Sequence, residues 1–221
     1  MIKLEHTVTP SQDQMAFVIE GMRNPMNSWD KSDTVCDITA DLGENDHSLM
    51  RKLAKAGTDH RKYLRMMPVY VRITAPLYWW KEFDTYKVGT VVNSCSTMHK
   101  IHEKAFTWDD FSVEHMKLVG DCSVGDVVPT LIMESVIYGL NYWRNVYLKS
   151  KSKDDWWQMI QLLPSNYNQT RNAMLNYEVL ANIYKSRYNH KLDEWRDFCN
   201  WIKKLPHSDL ILAAAGVEKK D

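Results

Sequence analysis

The sequence predicts an α+β fold, with a small central sheet flanked by helices and a helical C-terminal half. Three observations carry this. A β-rich run at 66–75 sets Val69, Val71 and Ile73 against Tyr70, Arg72 and Thr74. Helix-start signals recur from Thr107 onward. No Pro, Gly or Ser linker cuts the chain, and no 20- to 50-residue repeat divides it, so 1–221 reads as a single domain with a frayed tail at 217–221.

In chain order, residues 2–8 read as a short strand, and Thr9-Pro10 marks the start of a helix through Gly21. An Asn-, Pro- and Ser-rich loop follows. Residues 33–39 suggest a second strand, and Asp46 is the expected cap of a helix from His47 to Ala56, stopped by Gly57. After the 66–75 strand, Pro76 opens a helix ending near Gly89. Thr107 is placed as the cap of a helix, and Pro129 opens a long one to about Ser150. Ser152 and Asp155 begin another, which Leu163-Pro164 stops. Helices at about 169–188 and 190–204, and a last one before Gly216, complete the chain.

Composition bounds the function. Apolar residues make up 44% and charged residues 25%, as in ordinary globular domains. Twenty-eight basic residues balance twenty-eight acidic ones, so no overall positive field draws in a nucleic-acid polymer or an anionic membrane, and any phosphate must be bound locally. The longest apolar stretch, Val127 to Leu140, is broken by Pro129, Glu134 and Gly139. With no secretory signal at the start, a cytoplasmic location is expected, and Cys36, Cys95, Cys122 and Cys199 read as free thiols. Nine Trp, eleven Tyr and twelve Met against eight Gly suit a helical core and also flat heteroaromatic ligands.

The phosphate-binding patterns GxGxxG and GxxxxGK[ST] are absent, as is GxSxG. His99 and His102 share a helical face at i,i+3, with Glu103 and His115 as conceivable further metal ligands. Among Lys100 and Lys104, though, they read as a solvated polar face, and no metal is expected. Cys95 reads as a plain buried thiol, a nucleophile only if a base or a helix N-terminus lowered its pKa. Asn176 and Arg187 lie eleven residues apart, about 16 Å along one helix face and about the reach of a nucleotide.

Two segments together resemble the flavin-dependent thymidylate synthases, the ThyX family. One is LLPSNYNQTRNAMLNYEVLANIYKSRYNHKLDEWRDF, set against a family pattern of a leucine-proline and then an Asn-rich helix ending in Leu-x-Arg. The other is AGTDHRKYLRMMPVYVRITAPLYWWKEFDTYKVGTVVNSCSTMHK, with a family-like histidine and an Ala-Pro helix start at Ala75-Pro76. The resemblance implies a ThyX-like fold and a homotetramer. It implies FAD as cofactor, methylene-tetrahydrofolate and NADPH as cosubstrates, and dUMP or a related pyrimidine deoxynucleotide as substrate. It places His60, Tyr86, Lys87, Asn176 and Asn182 on the flavin, and Glu82, Asn93, Cys95, Ser96 and Arg187 on the nucleotide. It assigns no catalytic nucleophile, since flavin carries the hydride and the pocket orients the reactants.

The family's signature is altered here. Its Arg-His-Arg triplet falls on Thr85, Tyr86 and Lys87, and the preceding Gln on Glu82. Its last Ser falls on Cys95 without a gap; with one inserted residue, Asn93 and Ser96 match its Asn and Ser instead. Two further family arginines become Ile160 and Glu178. Either Lys81, Lys87, Lys100 and Arg171 replace the lost guanidinium groups from new angles, or the ligand differs.

Overall fold

The computed structural model describes residues 1–35 and 42–217. Its elements are β1 Lys3–Val8, α1 Gln12–Arg23, α2 Glu44–Lys55, β2 Pro68–Pro76, α3 Leu77–Phe83, β3 Val91–Ser94, α4 Pro129–Ser150, α5 Lys153–Leu162, β4 Asn168–Asn176, α6 Tyr177–Arg187, α7 Asp193–Ile202 and α8 Ser208–Ala215. The fold is α+β, with one four-stranded sheet in the order β1-β2-β4-β3. No helix among the described residues is long and apolar enough to cross a membrane.

The two central strands set the register. Tyr177 N donates to Met67 O at 3.2 Å, and Leu77 N donates to Tyr167 O at 3.0 Å, so β2 and β4 run antiparallel with Arg72 opposite Asn172. Thr74 and Thr170 then face each other with their hydroxyls 2.7 Å apart. On the other side of β4, Cys95 N donates to Thr170 O at 2.9 Å, which puts Asn93 opposite Asn172. Side chains alternate accordingly: Val69, Val71, Ile73 and Ala75 of β2 and Ala173 and Leu175 of β4 are buried, while Tyr70, Arg72 and Asn172 point the other way and are exposed.

The residues group into two compact units, interleaved in sequence. One comprises Met1–Lys3, Thr74–Glu82 and Ser94–Arg171, the other Leu4–Ile73, Phe83–Asn93 and Asn172–Asp221. The first unit packs Ile101, Phe106 and Phe111 against Met133 and Leu140 of α4 and Met159 of α5. Asn141 fastens it by bonding both the N–H and the carbonyl of Phe106, each at 2.8 Å. In the second unit the buried set includes Met50, Leu64, Leu175, Tyr177, Trp195 and Phe198.

A buried ion pair organises the start of the second unit. Arg23, 3% exposed, donates from Nε to Asp46 Oδ1 at 2.6 Å. The other Asp46 oxygen accepts from Ser32 Oγ, Asp33 N, Thr34 N and Thr34 Oγ1. Asp33 answers by capping α2, accepting from Asn45 N and Asp46 N. A Cβ on Gly43 would lie 2.2 Å from Asp33 Oδ1, so only glycine fits there.

Several sequence expectations are corrected. Asp46 is not the cap of α2: Gly43 holds that position, and Asp46 sits inside the helix, pulled into its hydrogen-bond cage. The expected strand at 33–39 is not a strand over 33–35, and its remainder lies outside the described residues. Pro76 ends β2, and α3 stops at Phe83. Thr107 caps one 3-10 turn, Trp108–Asp110, instead of a helix. The expected helix at 169–188 is strand β4 followed by α6, and β3 was not foreseen.

Burial alone would raise the Asp46 carboxyl, but its bonds from Thr34, Ser32 and Arg23 outweigh that and hold it below the usual range. A depressed carboxylate contributes stability that is present above about pH 4 and lost as pH falls through its folded pKa. Asp46→Ala strands Arg23 in the interior and is expected to cost about 3–5 kcal/mol in urea unfolding at pH 7. The loss should shrink on acidification, and a cost that does not vary with pH would refute this role.

Candidate functional site

The sequence-predicted residues divide between the units. His60, Tyr86, Lys87, Asn93, Asn176, Asn182 and Arg187 belong to the second, and Glu82, Cys95 and Ser96 to the first.

The second unit brings Tyr86 and Arg187 together. Arg187, the last residue of α6, donates from Nε to the Tyr86 hydroxyl at 3.0 Å. Its guanidinium lies 4.8 Å from the ring centroid of Trp195 in α7 and 5.8 Å from that of Tyr86. Such contacts contribute about 0.5–2 kcal/mol and hold a planar cation in one orientation. Arg187 Nη1 is 3.0 Å from His190 Nε2, while Leu192 N lies 3.2 Å from His190 Nδ1. A neutral imidazole accepts at one nitrogen only, so its tautomer decides which of the two donors is served.

Asn176 is held at the other end of α6. It is buried and caps the helix, its Oδ1 accepting from Val179 N at 3.0 Å. The loop carrying Lys87 passes directly over it. Gly89 there has φ +76, and a Cβ on it would lie 2.7 Å from Asn176 Nδ2. The neighbouring Thr90 Oγ1 is buried with no hydrogen-bond partner among the described residues. Lys87 itself is exposed, as is Asn182 on α6.

Glu178, two residues into α6, is buried and bonded through Oε1 to Arg61 Nε at 3.1 Å, while Arg61 Nη1 reaches Ala214 O. Its Oε2 is buried without a partner among the described residues. His60, beside Arg61, lines a mostly apolar cleft of about 600 Å³ with Met22, Met26, Leu49, Leu53, Tyr63 and Met66. That volume is in the range that takes a planar heteroaromatic ring system.

In the first unit, Ser96 Oγ accepts from Met98 N and His99 N and closes a turn. Cys95 is exposed and not buried as expected: it continues the edge strand β3, and its carbonyl accepts from Gln169 Nε2 at 2.8 Å. The stretch holding His99 and His102 is not helical, and no group of three His, Cys, Asp or Glu among the described residues could hold a metal ion. Glu82 lies on α3, half buried. Cys95, Cys122 and Cys199 are free thiols, and burial pushes Cys199 up to about 12, which makes it inert at neutral pH.

Comparison with solved structures shows what the fold is similar to. Thymidylate synthase X from Helicobacter pylori, in a structure with FAD and dUMP, matches with a TM-score of 0.66 at 15% identity, over 98% of each chain. A second structure of that organism's flavin-dependent thymidylate synthase ThyX, complexed with FAD and dUMP, gives 0.63 at 16% identity, over 95% of this chain and 97% of that one. The fold is that of ThyX. No family model matches the sequence, and no curated protein matches it.

Sequence reasoning missed Trp195, His190, Gly89 and Thr90. His190 had a usable signal in its i,i+3 spacing from Arg187, whereas Trp195 arrives from another helix. Gly89→Ala is expected to lower thermal stability by more than about 1 kcal/mol, since it adds a positive-φ penalty to a clash with the α6 cap. Thermal melting of the variant checks this, and an unchanged midpoint would show that the loop is free to move off Asn176.

Proposed function

We propose that this protein is a ThyX-like enzyme that binds FAD and a pyrimidine deoxynucleotide, dUMP being the first candidate. It would transfer one carbon from methylene-tetrahydrofolate to the base, with NADPH as reductant. The observation that carries this reading is the oriented guanidinium of Arg187, fixed by Tyr86 and Trp195 on a ThyX fold. The reading takes the chain as one ThyX-like domain, acting in the cytoplasm as a homotetramer.

The residues present fit a flavin in part. The His60 cleft has room for a flat ring system, and Thr90 Oγ1, next in sequence to Gly89, offers an unspent hydroxyl. Arg187 and Lys87 supply positive charge for phosphate, and Asn182, Glu82, Asn93, Cys95 and Ser96 extend the proposed contacts. Bound flavin would supply the hydride. The protein's own part is to orient: Arg187 grips an anionic group, and Tyr86 and Trp195 keep that grip planar.

A second reading is favoured by one specific observation. Glu178 stands where the resemblance expects an arginine, and it is closed into an ion pair with Arg61. Together with Thr85 and Tyr86 in the triplet, this removes cations that would hold a cofactor's phosphates. The paralogue would then be a pyrimidine deoxynucleotide hydroxymethylase or a nucleotide-binding protein without catalysis.

The test is the visible absorption spectrum of the purified protein with FAD, followed by titration with dUMP. The enzyme reading expects flavin bands that shift with dUMP, and dUMP affinity that falls about 10- to 150-fold in Arg187→Ala, the worth of a charged hydrogen bond of about 1.5–3 kcal/mol. Nucleotide binding without flavin uptake selects the second reading. Binding of neither ligand overturns both.

A further inference from the structure

The register of the sheet places three polar side chains in one line. Arg72 of β2, Asn172 of β4 and Asn93 of β3 sit directly opposite one another on neighbouring strands, all within the second unit. Two strand spacings make this row about 10 Å long. Arg72 and Asn172 form a pair whose N–H and C=O groups point away from each other, the arrangement that brings facing side chains closest.

All three are exposed, and none of their side chains makes a hydrogen bond or ion pair with another described residue. The adjacent row on the same face is Tyr70, Met174 and Val91, with Tyr70 49% exposed and Val91 61% exposed. The face therefore offers, within two rows, an aromatic ring, two carboxamides and one guanidinium.

We infer that this row is a nucleotide-reading surface: Asn93 and Asn172 take the imide edge of a pyrimidine, Tyr70 lies against the base or sugar, and Arg72 meets the phosphate. The chemistry selects this occupant. A carboxamide presents one donor and one acceptor, complementary to the adjacent N–H and C=O of a uracil-type ring. A guanidinium fork matches phosphate oxygens in pairs, and an open aromatic face accepts a base without demanding its sequence context. The inference rests on the proposed nucleotide function and deepens it, adding Arg72, Asn172 and Tyr70 to Asn93.

The experiment is calorimetric titration of the full chain with dUMP, comparing wild type with Arg72→Ala, Asn172→Ala, Tyr70→Ala and Arg187→Ala, with light scattering on each to follow assembly. The three sheet positions are exposed, so these variants are expected to fold. The inference expects Arg72→Ala and Asn172→Ala each to weaken dUMP by about tenfold or more, the loss of one charged or paired hydrogen bond. It also expects Asn172→Ala to narrow the preference for dUMP over dCMP, which a purely electrostatic surface would not do. If dUMP binds and Arg187→Ala weakens it while the sheet variants match wild type, the inference falls and the functional reading stands. If the sheet variants change the assembly state and leave dUMP affinity untouched, the face is covered by another copy of the chain, and the inference is again overturned. If wild type binds no dUMP, the functional reading fails and takes this one with it.

Discussion

The antiparallel pairing of β2 with β4 is the constraint from which the other placements follow. Its odd-numbered residues exchange backbone bonds between these two strands, which leaves the even-numbered backbone groups of β4 for β3. One choice of register thus fixes three strands. It turns Val69, Val71, Ile73, Ala75, Ala173 and Leu175 into the buried face and leaves the opposite face to polar groups. A slip of one residue would exchange the two faces, burying Arg72 and exposing Ile73, so the apolar alternation itself enforces the register. Both strands run into helices without a loop, β2 into α3 and β4 into α6, so the helix starts inherit the accuracy of the ladder.

That direct strand-to-helix passage explains how Asn176 can cap α6 and still be the last residue of β4. Its extended backbone, φ −135 and ψ 170, suits both roles, and its side chain turns back onto Val179 N. The cap fixes where the helix begins, and eleven residues later Arg187 emerges beside Trp195. A guanidinium set between two rings loses little side-chain freedom when it meets an anion, because its orientation is settled before the ligand arrives.

How much of this was legible in the sequence depends on whether the signal was local. The alternation in β2, Pro129 at the start of α4, the Ser152 cap and the stop at Leu163-Pro164 are local, and the structure keeps them. NQTRNAMLN, which forms β4, carries helix formers and Asn with Thr170 its one β-branched residue, and it becomes a strand because Tyr177 and Tyr167 at its two ends pair with Met67 and Leu77, which flank β2 far away in sequence. Asp46 misled for a related reason. An acidic residue in a first turn reads as a cap, but Arg23 and the 32–34 loop draw it inward through partners that are distant in sequence. Of the candidate site, the family resemblance singled out Tyr86 and Arg187 separately, one for the flavin and one for the nucleotide, and the bond between them, like the Trp195 ring and the glycine near it, depends on contacts between separate elements.

Electrostatics sets the remaining question of which ligand such a site prefers. Two carboxylates near the helix starts are already spent internally: Asp46 on Arg23, and Glu178 on Arg61. An ion pair of this kind, more than nine-tenths buried at Asp46 and Glu178 alike, is expensive to open, because parting it leaves a bare charge in the interior. The Arg61 guanidinium is therefore not available to an incoming phosphate at ordinary cost. Positive charge borders solvent at half-buried Arg187, exposed Lys87 and exposed Arg72, which is where the proposed reading seats an anion. The outlying position of these groups favours a ligand with few phosphates and a planar base over one whose affinity depends on a deeply seated pyrophosphate, and it is the reason a mononucleotide is the first molecule to try.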